Sequence, residues 1–400
     1  MARQRNVVED KQVDELKEAV VKRYGKPLTH SFECELLSKE IEKVTKIYIS
    51  PQTLRRLFGF LNAEFSPSVR TLNNLSLYAG FDDFHGFINN TNETAFQPLT
   101  INEEASLYLE FYNLEMKPEA DMNFHNACRG IAWRIVNSTS LLTKLAPALS
   151  ENKVSQIYFF ERFPYIDGLC SDYLNSFKLY QKKKGNEAQL FSNTLLFFSA
   201  FMSGNHSEFS NHIKQINKVA LTESIHPFVI ARYIGSNILF NSSEGVSISG
   251  WVAEAKKWSK YFLQRSETSF WRFPHFQFMI CDYLNLAGYY KESYSILRTI
   301  NILSKNYENE AGYNEALEII FEIAKHPVSP EGYILWFEKT TAFNTINPFF
   351  EKHFALQSHC LYYSLLRNGK RKQNIKRRIE DLIRITNFTY FRKFIANEEV

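Results

Sequence analysis

Gln52, Arg55 and Arg56 are the side chains of this 400-residue sequence best placed for recognition chemistry, because they follow Ser50-Pro51 at the start of an amphipathic run. The serine hydroxyl can cap free backbone N–H groups and Pro51 supplies the fixed φ of a first helical turn, so a helix is expected over residues 51–60. Leu54, Leu57, Phe58 and Leu61 form its inner face, which leaves Gln52, Thr53, Arg55 and Arg56 outward. Arginine pairs bidentately with guanine and glutamine with adenine, which makes Gln52 and Arg55 the expected readers of base edges. Ser50, Arg56, Ser68, Arg70 and Thr71 suit phosphate oxygens, helped by the free N–H groups at the two Ser-Pro helix starts. The competing description is an ordinary solvated helix face.

Other chemistry is thinly represented. His206 and His212, or His353 and His359, have no carboxylate at a metal-binding spacing, and each reads as a surface or packed histidine. Cys360 beside His359 is no nucleophile pair, since adjacent helical residues point in different directions. The five cysteines are scattered without a CxxC pair, and GxxxxGK and GxGxxG patterns are absent. No enzyme, metal or cofactor is expected. Phe159-Phe160, Phe197-Phe198 and Phe349-Phe350 read as core.

The elements that position the recognition residues follow from periodicity. Val13, Leu16, Val20 and Tyr24 make one stripe of a helix over 13–24, ended by Gly25-Lys26-Pro27. A second helix over 32–44 carries Leu36, Leu37, Ile41 and Val44 on its inner face. After the Pro51 helix, Ser66-Pro67-Ser68 opens another, with Val69, Leu72, Leu75 and Ala79 inward and Gly80 at its end; Asp82-Asp83 starts a last short one through Phe84 and Phe87. Through Leu37-Ser38-Lys39-Glu40-Ile41, through Ile49-Ser50-Pro51-Gln52-Thr53-Leu54-Arg55-Arg56-Leu57, and through SPSVRTLNNLSLYAGF over 66–81, residues 30–90 resemble the lambda-repressor-like (XRE-type) helix-turn-helix family. The resemblance implies a bracing helix, a recognition helix in the major groove and DNA as partner. The connection from Ile41 to Ile49 is several residues longer than the tight turn of that family.

Glycine and proline number 15 and 12, about 7% of the chain, whereas an ordinary soluble protein carries roughly 12%. That scarcity disfavours turn-rich β folds and predicts an all-α protein. Residues 89–98 (NNTNETAFQP) are polar and aperiodic, so the expected division is a helix-turn-helix domain over 1–90, a linker over 91–99 and a helical array over 100–400. Within the array, Gly204 is followed by His206, Phe209, Ile213 and Ile216 at offsets 2, 5, 9 and 12, and Gly288 by Tyr290, Ser293, Leu297 and Ile300 at the same offsets. Gly245 falls between, which suggests one helical hairpin per roughly 40 residues. The pattern resembles tetratricopeptide repeats, and implies a curved surface for a peptide or protein effector and for homodimerisation. Tyr283 and Asn285, just before Gly288, are the expected exposed ligand contacts, with packing as the rival role for Tyr283.

Charge bears on partners. The net charge is +4, and residues 1–90 hold 13 Lys/Arg against 12 Asp/Glu, so a nucleic-acid surface must be local. Residues 367–393 hold ten basic and two acidic side chains, read as the basic outer side of a capping helix or a second nucleic-acid or acidic-partner contact. The N-terminus has no apolar signal segment, and the longest apolar run, 194–202, is far short of the roughly 20 residues of a membrane helix. A cytoplasmic location and no membrane partner are expected. The expected function is a DNA-binding transcriptional regulator; the alternative is a helical-repeat scaffold that binds no DNA.

Overall fold

The computed structural model describes residues 10–62, 67–91, 99–118, 121–266, 273–300 and 312–396; it is all-α, with no strand among them. Ser66 and, of the stretch read as a linker, residues 92–98 lie outside the described residues. The chain divides into two compact units, Met1–Leu99 and Thr100–Val400. No described helix is long and apolar enough to cross a membrane.

The N-terminal unit contains α1 (Asp10–Tyr24), α2 (Glu33–Thr45), α3 (Pro51–Leu57), α4 (Val69–Ala79) and α5 (Phe84–Thr91). α4 touches α1, α2 and α5, and α2 also packs on α3. Val13, Leu16 and Val20 are buried as their spacing requires, and Arg23 lies over the Tyr78 ring at 5.5 Å. α2 is rotated from expectation: Cys34, Leu37, Ser38 and Ile41 face the core, while Leu36 and Val44 are exposed. Ser38 explains the rotation, because its buried hydroxyl donates to the Ile49 carbonyl at 2.6 Å and must sit on the inner face.

α3 stops at Leu57, three residues before the expected end. Gly59 takes φ +79° and lets its N–H reach the Arg56 carbonyl while the Phe60 N–H reaches that of Arg55, a left-handed cap that closes the helix. Leu61 is consequently exposed, and Phe58 only half-buried. On α4, Leu72, Leu75, Ser76 and Tyr78 are buried, but Val69, at the first turn, is exposed.

The second unit opens with α6 (Ile101–Tyr112), α7 (Met122–Val136) and α8 (Thr139–Glu151), begun by Thr100, Asp121 and Ser138 caps. The short α9 (Lys153–Ser155) runs into a π-helical turn, Gln156–Glu161, that buries Tyr158, Phe159 and Phe160. A 3-10 turn, Ile166–Gly168, and α10 (Asp172–Tyr180) follow. Helix pairs come next: α11 (Asn186–Met202) with α12 (His206–Ile216), α13 (Pro227–Ser243) with α14 (Ser249–Ser266), and α15 (His275–Leu286) with α16 (Tyr290–Leu297). Then come α17 (Tyr313–Lys325), α18 (Pro330–Lys339), α19 (Ala342–Thr345), α20 (Glu351–Leu365) and α21 (Lys370–Thr386), with a closing 3-10 turn, Thr389–Phe394.

Gly204, Gly245 and Gly288 all have positive φ, and in each case the next residue donates to the carbonyl five positions back at 2.8 Å. One local device therefore turns the chain after α11, α13 and α15. The first helices stack in order, α11 on α13, α13 on α15, α15 on α17 and α17 on α20. Flanked on two sides, α15 is buried throughout residues 276–286. That burial corrects the expectation for Tyr283 and Asn285, which are 0% and 4% exposed and belong to the packed interior.

Candidate functional site

The expected DNA-reading face begins at two capped helix starts. The Ser50 hydroxyl accepts from the Thr53 N–H at 3.1 Å, and that of Ser68 from the Thr71 N–H at 3.2 Å, with the Thr53 and Thr71 hydroxyls 2.8 and 2.9 Å from their serines. Gln52, Arg56, Ser68 and Arg70 are exposed, whereas Ser50, Thr53 and Thr71 are half-buried. The Ser38–Ile49 hydrogen bond pins α2 to the residue just before the α3 cap, so the long connection between them still delivers a fixed α3 start.

Arg55 is already engaged. Its Nη2 donates to Glu35 at 2.6 Å and its Nε to the Ser31 carbonyl at 3.1 Å, which draws it toward the first turn of α2. Glu35 is more than half exposed, and such a surface pair holds only about 0–1 kcal/mol.

The second unit contains a cavity of about 550 Å³ that the sequence reading missed. Phe191 and Phe198 of α11, Arg232 of α13, Phe278 and Asp282 of α15, and His353 of α20 are among its walls. Arg232, Asp282 and His353 are 5%, 5% and 1% exposed. His353 Nε2 lies 3.0 Å from both carboxylate oxygens of Asp282, and the Gln357 amide donates to Asp282 Oδ1 at 2.6 Å. The Phe198 ring meets His353 edge-on, centroids 5.4 Å apart. His353 Nδ1 is buried without a hydrogen-bond partner among the described residues.

The wall is held from a distance. Asp167 accepts the backbone N–H groups of Lys352 and His353 at 2.8 and 2.9 Å and so caps α20. Burial pushes the Asp167 carboxyl up to about 6, opposed by those N–H groups and by Lys352. On the other side Gly235 lies under the Tyr283 ring, where a Cβ would come 2.3 Å from Cγ. This close approach joins α13 to α15 and leaves the Tyr283 hydroxyl 3.5 Å from Arg232 Nη1.

Asn285 uses its amide to bond the Ile320 carbonyl of α17 at 3.0 Å. Its Oδ1 has no partner among the described residues, and the residue borders a second cavity of about 280 Å³ with Tyr290, His326 and Gln357. No described lining residue of the larger cavity is Ser, Thr or Cys, so His353 has no aliphatic hydroxyl or thiol beside it to activate. No group of His, Cys, Asp and Glu suited to a metal ion occurs among the described residues. The arrangement is chemically competent to bind a ligand through charge and hydrogen bonds inside an aromatic chamber.

Spacing could not reveal Asp282 with His353, 71 residues apart. One signal was available: Arg232 is the single charged residue of α13 (PFVIARYIGSNILFNSS), and Asp282 is the single acidic or basic one, histidine aside, of α15 (HFQFMICDYLNL). A lone charge in an apolar helix is costly unless it has a task. Comparison with known protein families, with curated proteins and with solved structures finds no match to this chain.

Proposed function

We propose that the chain is a DNA-binding transcriptional regulator. Residues 1–90 act as a lambda-repressor-like head that reads bases with Gln52 and Arg55 and holds phosphates with Ser50, Thr53, Arg56, Ser68, Arg70 and Thr71. Residues 100–400 act as a tetratricopeptide-like array that binds a peptide or protein effector and pairs two copies into a homodimer. Binding, not catalysis, is the task of both parts. The observation that supports this best is the pair of Ser-capped helix starts, α3 and α4, that present Gln52, Arg56 and Arg70 to solvent. Free N–H groups at such starts complement phosphate, and side chains of the first turn reach base edges. The buried, charged chamber of the array supports the effector half.

A second reading, a scaffold whose N-terminal unit docks a protein, draws on Leu36, Val44 and Tyr48, which are exposed on that unit, and on its near-neutral charge. Selection of the full chain against a randomised duplex, followed by gel-shift titration, separates the two. Regulation requires an enriched sequence, affinity that falls with salt, and uniform weakening by Arg56→Ala or Arg70→Ala. Gln52→Ala is then expected to blur one position, at about 1–3 kcal/mol. Equal affinity across the variants, or no enrichment, removes DNA as the partner. A strictly monomeric chain at micromolar concentration, on DNA and free, removes the two-half-site arrangement.

A further inference from the structure

Arg232 has no ion-pair partner among the described residues. It is 5% exposed, and its one hydrogen bond among the described residues is the 3.5 Å contact to the Tyr283 hydroxyl. The carboxylates on the cavity wall are committed elsewhere. Asp282 holds His353 and Gln357, Glu161 holds Lys183 and the Tyr180 hydroxyl, and Glu187 accepts the His226 N–H. A guanidinium has five N–H donors, and burying it without a counter-charge is among the costlier arrangements in a protein interior. The free space beside it is the 550 Å³ cavity, within the range of small-molecule sites.

Arg162, Lys183 and Lys184 also line the cavity, but they are half-buried or exposed, and the buried wall is largely aromatic apart from Arg232, Asp282, His353 and His125. Phe191, Phe198, Phe278 and Phe354 line it and are each at most 5% exposed. At the buried end a dianionic phosphate would find Arg232 as the one buried cation among phenyl rings, with Lys183 already paired to Glu161, whereas a carboxylate matches the guanidinium fork in charge and in geometry. We infer that the cavity binds a monocarboxylate on an apolar body, with the carboxylate paired to Arg232 and the apolar part against the phenylalanines. The source is either a free aliphatic or aromatic acid or the C-terminus of a short apolar peptide. The inference rests on the effector half of the function proposed above and specifies its chemistry; it does not depend on the DNA half.

Calorimetry on the full chain without DNA tests it, with decanoate, 3-phenylpropanoate, 3-phenylpropanamide and a diphenylalanine peptide bearing either a free or an amidated C-terminus as probes. Acids are expected to bind about tenfold or more tightly than the matching amides. Arg232→Met is expected to erase that preference while melting, without ligand, no lower than the parent, because it removes an unpaired buried charge. Arg232→Lys, which keeps the charge and loses the fork, is expected to retain a reduced preference for acids. Binding of the free-terminus peptide alone, or of the small acids alone, supports the inference and names the source. Equal binding of acid and amide, no acid binding at millimolar concentration, or an acid preference that survives Arg232→Met overturns it. Acid binding that leaves DNA affinity unchanged keeps this inference and defeats the regulator; sequence-specific DNA binding without an acid preference does the reverse.

Discussion

Each unit, taken by itself, treats the polar side chains of its candidate site differently: one exposes them and the other buries them. In the N-terminal unit Gln52, Arg56, Ser68 and Arg70 stand in solvent, and the core behind them is aliphatic and aromatic apart from Cys34, Ser38 and Ser76. In the second unit Arg232, Asp282, His353 and Gln357 are inside, brought together from α13, α15 and α20. Charges on the outer face are screened by water and salt, so replacing one leaves the fold nearly untouched. Charges in the chamber are far less screened, and their partners there are residues of other helices of the fold.

The largest expected effect therefore lies in the chamber. Asp282→Ala strands the His353 Nε2–H and the Gln357 amide, and is expected to cost about 3–5 kcal/mol. Urea unfolding followed by tryptophan fluorescence would show it, since all five tryptophans belong to the second unit. A loss below about 1 kcal/mol would mean that the network is water-solvated and that the contrast between the units is false. Gly235→Ala comes next. Its Cβ would meet the Tyr283 ring at 2.3 Å, an overpacking expected to cost about 3 kcal/mol. Adding Tyr283→Leu should recover part of the loss in a double-mutant cycle, whereas strict additivity would place the strain elsewhere.

Asp167 sharpens the comparison through pH. Its carboxyl is raised from 3.8 to about 6 in the fold, so the folded state holds the proton more tightly than the unfolded chain does. The resulting contribution is fully present below about pH 4 and is lost as the pH rises through about 6, a change of about 3 kcal/mol. Asp167→Asn should remove this dependence, so the stability difference between parent and variant must shift toward the variant from acid to neutral pH. A pH-independent difference would show that the N–H groups of α20 already offset the burial. The smallest effect belongs to the outer unit. Ser50→Ala or Ser68→Ala removes one cap, at about 1 kcal/mol, and should lower the melting of the N-terminal unit alone. If the array melted lower as well, the units would be thermodynamically coupled.

Much of the N-terminal unit was legible because its signals are local. Ser50-Pro51, Ser68, Gly80 and Asp83 act on backbone groups within a few residues, so the caps, the α4 terminus and the α5 start follow from chain order. The face of α2 is not legible in the sequence, because Ser38 is polar by type and only its bond to Ile49, 11 residues on, makes it a core residue. α3 was drawn too long because Phe58, Phe60 and Leu61 continue the apolar pattern, while the left-handed turn at Gly59 overrides it.

In the array the sequence by itself determined the all-α class and the turns at Gly204, Gly245 and Gly288, since helix periodicity and a left-handed glycine are properties of neighbouring residues. The lone charges of α13 and α15, Arg232 and Asp282, are present in the sequence, but their spacing gives them no role there. Only the tertiary structure decided that Tyr283 and Asn285 are interior, because α15 is enclosed by α13 and α17. Only the tertiary structure could bring Asp282 to His353, and Asp167 to the start of α20, 186 residues away. Periodicity tells which side of a helix is apolar; which distant charges share a low-dielectric space depends on how the helices stack, and that is fixed by the packing of the whole unit.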